Sequence, residues 1–378
     1  MVVKDGNDLN AIDAAVQVAK DEKERPTLIE VNTILGYASP LADNHKAHGT
    51  VLTPEEIEAT KHNLGYNYKP FEVPNESYAA FDSTRKGGRE AHKKWNEMLE
   101  RYADKYPELH KKFIENINNT IKLSANNLKL TIPKEEATRD AIHQILQSTT
   151  KTDLNIWGGS ADLGSSDKTY FDNDTGFQPD TYQNRNLYFG IREFAEAAAV
   201  NGINLYGGSR AFANTFFIFS DYMKNAIRHA SLMHDPSIFL FGHDSISLGP
   251  DGPTHQPIEQ LETFRATPGV IVMRPADFLE TLYAWQYTIN QNNHPVVFAL
   301  GRQKLPALLQ YKEKVEEGVP KGGYILSEAK NNKPEGIIIA TGSEVELALR
   351  VQRKLAEIKR FIRVVSMPSM ELFLSQPY

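Results

Sequence analysis

A chain of 378 residues is long enough for two or three domains with sizeable cores, and 40% hydrophobic with 24% charged residues is the balance of an ordinary globular protein rather than a disordered or fibrous one. A net charge of −6 without a long basic block argues against nucleic acid as the main partner, and no apolar run is long enough to span a membrane. With no cysteine, disulfides, thiolate nucleophiles and cysteine metal sites are excluded; the opening MVVKDGNDLN lacks a signal-peptide pattern, so a cytoplasmic protein is expected.

Along the chain, Asn7 to Lys20 has apolar residues at helical spacing, and Thr27 to Ile34 reads as a strand. Leu35 to Val51 is a loop rich in Gly, Ala, Asn and His. Thr53-Pro54-Glu55-Glu56 starts a helix, with Thr as cap, Pro in the first position and Glu three residues after the cap. Arg85 to Thr120 is charged and helical, broken at Pro107. Ser124 to Pro133 reads as an extended connection, and a domain boundary is expected near it. The next part alternates: helix Lys134 to Ser148, strand Leu154 to Trp157, helices Arg192 to Asn201 and Thr215 to Met233, and strands Ile238 to Phe241, Val270 to Met273 and Val296 to Leu300. Helical patterns at Ile258 to Arg265 and Ala276 to Thr288 separate those strands. This is the pattern of a doubly wound, mostly parallel α/β fold. After a second boundary around Tyr311 to Lys333 come strand Gly336 to Ala340, helix Glu344 to Lys359 and strand Phe361 to Ser366. One βαβ unit is too small to stand alone, so the carboxyl end reads as truncated.

The richest loop is His243 to Pro257 (HDSISLGPDGPTHQP), with two His, two Asp, two Gly and three Pro between an apolar strand and an amphipathic run. Such a loop sits at the carboxyl end of a sheet and can hold acid–base groups rigidly. Arg192-Glu193-Phe194 opens a helix; Glu193 there is either an ordinary first-turn acid or a buried carboxylate acting on a nitrogen heterocycle. Phe216, Phe219 and Tyr222, at spacing i, i+3, i+6, form either a helix core stripe or a flat wall for a ring. Gly158 to Leu163 (GGSADL) lacks both a dinucleotide fingerprint and a Walker lysine, but as a βα loop it can touch ligand. His45 and His48, with Asp43 nearby, match no familiar metal spacing and read as polar loop residues. Arg139 and Arg302 are either surface ion pairs or bidentate phosphate binders.

Taken in order, GGSADL, REF, FF-x-F-SDY, HDS-x(5)-DGPTHQP, GRQ and ATGSE resemble the transketolase family, with Ile34-Leu35-Gly36-Tyr37 and His48-Gly49 adding to the likeness near the start. The resemblance implies thiamine-diphosphate-binding α/β domains: 1–120 as the tail of the diphosphate-binding domain, 121–311 as the pyrimidine-binding domain and 312–378 as the start of the carboxyl-terminal domain. The family's GDG motif does not occur in the sequence. The ligands of the Mg2+ or Ca2+ ion are therefore expected upstream, with none in this chain, and the chain alone is expected to be inactive.

By the same resemblance, Glu193 bonds the cofactor pyrimidine, Phe216, Phe219 and Tyr222 form its pocket, and Asp162 and Leu163 lie near the thiazolium. His255 and His48 surround the substrate carbonyl and hydroxyls, and Asp251 reads a donor hydroxyl. Arg139, Ser166, His243 and Arg302 bind the sugar phosphate. The implied activity is transfer of a two-carbon ketol unit from a ketose phosphate to an aldose phosphate through a thiamine diphosphate carbanion, in the pentose phosphate route, by a homodimer with shared active sites. Alternatives are dihydroxyacetone synthase, 1-deoxyxylulose-phosphate synthase, and a non-catalytic fragment or split subunit that dimerises and supplies half a cofactor site.

Overall fold

The structure, a computed structural model, describes residues 1–246, 249–330 and 332–377; Ser247 and Leu248 of the His243–Pro257 loop lie outside the described residues. The chain divides into two compact units, Met1–Met98 and Leu99–Tyr378.

In the first unit, β1 (Val2–Val3) pairs in parallel with β2 (Glu30–Val31), and α1 (Leu9–Asp21) lies between them in sequence. The Asp8 carboxylate caps α1 by accepting from the N–H groups of Asn10 and Ala11. The strand expected over Thr27 to Ile34 shrinks to two residues, because β1 offers only two residues of ladder. His45–His48 forms a short 3-10 turn. α2 (Pro54–Asn63) starts on a full capping box: Glu56 N–H donates to Thr53 Oγ1 at 3.3 Å and Thr53 N–H donates to Glu56 Oε2 at 2.8 Å. α3 (Asn75–Lys105) begins ten residues before the expected Arg85.

The second unit begins within α3, at Leu99. α4 (Pro107–Ile117) has Pro107 at its first position, where a missing N–H costs nothing. Then come β3 (Glu135–Glu136), α5 (Thr138–Thr149), β4 (Ile156–Ser160), α6 (Gly164–Asp167), β5 (Asn186–Tyr188), α7 (Glu193–Tyr206), β6 (Arg210–Phe216), α8 (Ser220–Leu232), β7 (Ile238–Gly242), α9 (Gln260–Arg265), β8 (Ile271–Met273), α10 (Phe278–Asn290), β9 (Val296–Leu300) and β10 (Leu305–Pro306). The end of the unit holds α11 (Lys312–Gly318), β11 (Tyr324–Ser327), β12 (Gly336–Ala340), α12 (Glu344–Glu357), β13 (Ile362–Ser366) and α13 (Met370–Leu374).

A six-stranded parallel sheet in the order β5-β4-β6-β7-β9-β8 is the frame. One face packs against α5 and α10 through Ile142, Ile145, Leu279 and Trp285; the other packs against α7, α8 and α9 through Val200, Ile227 and Phe264. This is the doubly wound α/β architecture. β6, β7 and β9 are buried at every residue, since helices cover both faces.

Three local expectations change. Thr215 to Met233 is not one helix: β6 runs to Phe216, a 3-10 turn covers Phe217–Phe219, and α8 starts at Ser220. A fully buried strand lacks the alternation that would separate it from a helix. Gly158 and Gly159 lie inside β4 rather than in a loop. A Cβ on Gly159 would fall 1.8 Å from the Leu187 carbonyl oxygen, so glycine lets β5 close on β4. The stretch around the second expected boundary contains β11, antiparallel to β13, so the carboxyl end is a three-stranded sheet and not a lone βαβ unit. Its Leu326, Val345, Leu349 and Val364 join the same core as Trp285. No helix among the described residues is long and apolar enough to cross a membrane.

Candidate active site

The strands of the parallel sheet share one carboxyl edge, and the segments that follow β4, β6, β7 and β9 converge there. They enclose a cleft of about 700 Å³ with Arg139, at the start of α5, on its wall. Ligand sites form at such edges because several independent loops meet on rigid strand ends. The segment after β4 contributes Leu163, Ser165, Ser166 and Lys168; β6 ends in Phe216; the loop after β7 brings His243, Asp251 and His255; and Arg302 follows β9.

The lining sets three permanent cations, Arg139, Lys168 and Arg302, against one carboxylate, Asp251. Arg139 Nη1 donates to the Ser166 carbonyl at 3.1 Å, and Arg302 Nη1 donates to Asp251 Oδ2 at 3.0 Å. His243 follows β7 in the left-handed region at φ +64°, a conformation that residues with a Cβ seldom adopt and that concentrates at functional positions. Its ring lies 3.8 Å from the Phe216 ring, centroid to centroid, and its Nδ1 faces the buried Asp167 carboxyl. Burial pushes the Asp167 carboxyl above the usual carboxylate range, while His243 and Asn214 pull it back. His255 sits on a 3-10 turn, Pro253–His255, with Nδ1 3.0 Å from Thr254 Oγ1 and its ring edge-on to Phe219.

A second, more apolar cleft of about 460 Å³ shares Leu163 and is otherwise lined by Ala161, Asp162, Ile191, Glu193, Phe219 and Tyr222. Although Phe216, Phe219 and Tyr222 fall on a strand end, a 3-10 turn and a helix start, their rings make a ladder. Phe216 and Phe219 are 6.0 Å apart and near parallel at 12°, and Phe219 and Tyr222 are 6.4 Å apart at 26°. Glu193 is the half-buried first residue of α7, where the helix dipole favours a negative charge. Asp162 is also left-handed, at φ +66°. One turn beyond Glu193, Glu196 is fully buried; its Oε1 accepts the Asn214 N–H at 2.7 Å. Burial, with the Glu193 charge adding to it, pushes the Glu196 carboxyl up to about 9.

Of the residues singled out by sequence, Arg139, Ser166, His243, Asp251, His255, Arg302, Leu163 and Phe216 line the first cleft; Asp162, Leu163, Glu193, Phe219 and Tyr222 line the second. His48 belongs to the first unit, exposed at the end of its 3-10 turn. Lys168, Asp167 and Glu196 escape the sequence reading. Lys168 directly follows the Ser165-Ser166-Asp167 run and could have been noticed as a cation beside a phosphate candidate. Asp167 and Glu196 matter through burial, which sequence does not display. Among the described residues, no group of three or more His, Asp or Glu side chains could hold a metal ion.

Three family models match in series: "Transketolase, thiamine diphosphate binding domain" over residues 1–122, "Transketolase, pyrimidine binding domain" over 134–307, and "Transketolase-like TK C-terminal domain" over 322–378. A transketolase of Streptococcus pyogenes serotype M6 is 43% identical over 380 residues, covering 100% of this chain and 51% of the relative. A transketolase mutant from Pichia stipitis, solved in complex with fructose-6-phosphate, superposes with a TM-score of 0.92 at 34% identity, covering 100% of this chain and 57% of that one. A split-gene transketolase, described as an inactive β4 tetramer, superposes with a TM-score of 0.50 at 26% identity, covering 62% of this chain and 72% of that one. The chain thus spans about half the length of the relatives it matches.

Proposed function

The chain belongs to the transketolase family, and we propose that it forms the pyrimidine-facing and sugar-phosphate-facing wall of a thiamine-diphosphate-dependent ketol transferase. The observation that carries this reading is the convergence of Arg139, Lys168, Arg302, His243 and Asp251 on one cleft beside a separate cleft lined by aromatic rings and Glu193. A charged mouth next to an apolar slot suits a phosphorylated sugar held against a flat, mostly apolar cofactor ring.

The chemistry of the residues fits the pyrimidine half of thiamine diphosphate. Phe219 and Tyr222 offer ring faces, Asp162 is held in a strained turn, and Glu193 brings a carboxyl to an apolar lining. When bound, this cofactor supplies the electron sink that allows a carbon–carbon bond beside a carbonyl to break. Glu193 would bond the pyrimidine ring nitrogen. Arg139, Arg302, Ser166 and His243 grip the sugar phosphate, the arginines by donor forks that match its oxygens. Asp251 accepts from a donor hydroxyl, and His255 faces the carbonyl and hydroxyl groups of the substrate; the family resemblance gives His48 of the first unit the same kind of role. The divalent cation finds no ligand group among the described residues.

The same reading takes 1–120 as the tail of the diphosphate-binding domain, 121–311 as the pyrimidine-binding domain and 312–378 as the start of the carboxyl-terminal domain. It extends to a cytoplasmic homodimer, in support of which Ile191, Phe194 and Tyr222, on or next to the apolar cleft, are 78%, 55% and 63% exposed.

Calorimetric titration of the purified chain with a ketose phosphate and with the same ketose lacking phosphate tests this function. Binding should require the phosphate and be lost in an Arg139→Ala, Arg302→Ala double variant. Equal binding of both sugars would sink the reading.

A second reading, a split subunit, draws on the likeness to the split-gene neighbour. Under it, two-carbon transfer with thiamine diphosphate and magnesium is absent from the chain alone and appears on adding a GDG-containing upstream polypeptide. Robust turnover by the isolated chain would refute it.

A further inference from the structure

Behind the phosphate-facing cleft, a carboxyl and an imidazole are sealed together. The side chains of Asp167, the last residue of α6, and His243 are 1% and 3% exposed, and Oδ1 of Asp167 lies 3.2 Å from Nδ1 of His243. Neither atom has a hydrogen-bond partner among the described residues, so the two face only each other. The other carboxyl oxygen, Oδ2, accepts from Asn214 Nδ2 at 3.1 Å, and that amide also donates to the Leu240 carbonyl at 2.7 Å, which fixes its orientation. Glycine at 242 makes room for this arrangement, since a Cβ there would lie 1.9 Å from Asp167 Oδ1. His243 itself is held in the left-handed region. On the far side of the ring, Nε2 lies 4.0 Å from Asp251 Oδ2, a residue of the cleft lining.

Two buried atoms with lone pairs do not face each other at this distance without a proton between them. A proton on Nδ1 against the carboxylate leaves the Asp167 charge to stabilise a second proton on the same ring. That second proton belongs on Nε2, toward the cleft. A phosphate needs a donor there, because its oxygens only accept. The charged groups around the ring are Arg139, Lys168 and Arg302 with Asp251 and Asp167; Lys168 Nζ is paired with Asp140 at 2.5 Å and Arg302 with Asp251 at 3.0 Å.

We propose that Asp167 is a positioning residue for the phosphate group. It locks Nδ1 of His243 and stabilises the imidazolium, so that Nε2–H donates to the phosphate. Binding of phosphate therefore draws one proton from solvent onto Nε2. This inference rests on the reading of the cleft as a sugar-phosphate site.

The variant Asp167→Asn separates charge from shape. Asn214 donates to the oxygen at this position, so an asparagine must present its amide N–H to Nδ1 of His243. That arrangement keeps Nε2 protonated but forbids the imidazolium, since Nδ1 becomes an acceptor.

The test uses the purified chain with 15N-labelled histidine, inorganic phosphate as the probe, and His243→Gln to identify the His243 ring signals. In the wild type with phosphate near pH 7.5, both ring nitrogens of His243 should be protonated, and titrations in buffers of different ionisation enthalpy should report proton uptake. In Asp167→Asn the phosphate-bound ring should be neutral with the proton on Nε2, proton uptake should vanish, and affinity should fall about tenfold. A neutral His243 ring in the phosphate-bound wild type, or an imidazolium that persists in Asp167→Asn, overturns the inference while leaving the phosphate site intact. Failure of the wild type to bind phosphate overturns both. Should the variant not fold, the wild-type ring signals alone decide.

Discussion

Gly242 and Asp167 compete for one volume: the position a Cβ would take on residue 242 lies 1.9 Å from Asp167 Oδ1 and 2.4 Å from its Cγ. The last residue of β7 is thus bare because a carboxyl from α6 leans across it. Gly242→Ala should push Asp167 off His243. Overpacking of this kind costs about 1–3 kcal/mol, which a urea unfolding midpoint would show. The same variant should bind inorganic phosphate more weakly than wild type. Unchanged stability and unchanged binding would mean that Asp167 does not need this approach.

Glu196 makes stability depend on pH in a defined direction. Its carboxyl is pushed from 4.5 to about 9 by burial. Between those values the folded state holds a proton that the unfolded state has released, so stability falls as pH rises through this window, by up to about 1.4 kcal/mol per pH unit. Below the window both states are protonated and the effect is gone. Glu196→Gln keeps an oxygen for the Asn214 N–H and cannot ionise. Its Tm should exceed that of wild type at pH 8 and match it at pH 4.5. A difference of the same size at both values would rule out this carboxyl as the cause.

Arg274 ties the carboxyl-terminal sheet to the parallel sheet. Its Nε donates to Asp244 Oδ2 at 2.9 Å, and its Nη1 donates to the Thr341 carbonyl at 3.0 Å and to Glu344 Oε2 at 2.5 Å. Arg274→Ala leaves the buried Asp244 carboxylate unpaired, a change that costs about 3–5 kcal/mol. Burial already raises this carboxyl and Arg274 pulls it back. The orphaned group can protonate in acid, so the loss should be larger at pH 8 than at pH 5. Hydrogen exchange should speed first in β12 and β13. Uniform acceleration across the parallel sheet would contradict this division.

Tyr222 offers a test of the apolar cleft that spares the core, because it is 63% exposed and its ring only extends the stack begun by Phe216 and Phe219. Loss of one aromatic face is worth about 0.5–1.5 kcal/mol. Tyr222→Ala should therefore weaken thiamine binding, read by quenching of tryptophan fluorescence, by roughly 2- to 12-fold, with inorganic phosphate binding unchanged. Loss of both, or of neither, would argue against two distinct clefts.

Local signals in the sequence account for a good part of the architecture. The capping box at Thr53 and Glu56, the proline that divides α3 from α4, and the apolar runs of β7 and β9 act within a few residues, and they appear in the structure where their chemistry puts them. The motifs GGSADL, REF, FF-x-F-SDY, HDS-x(5)-DGPTHQP and GRQ also hold most of the residues that line the two clefts. Tertiary structure decided what depends on distant partners. β6 is a strand because β4 and β7 flank it, and β11 because β13, nearly forty residues on, pairs with it. Phe216, Phe219 and Tyr222 become a ladder across a strand end, a turn and a helix rather than along one helix face. Asp167 and Glu196 look like ordinary acids in sequence. Only close packing removes their water, leaves one to face His243 and the other to face the Asn214 backbone, and turns two carboxyls into groups whose protons are set by the fold.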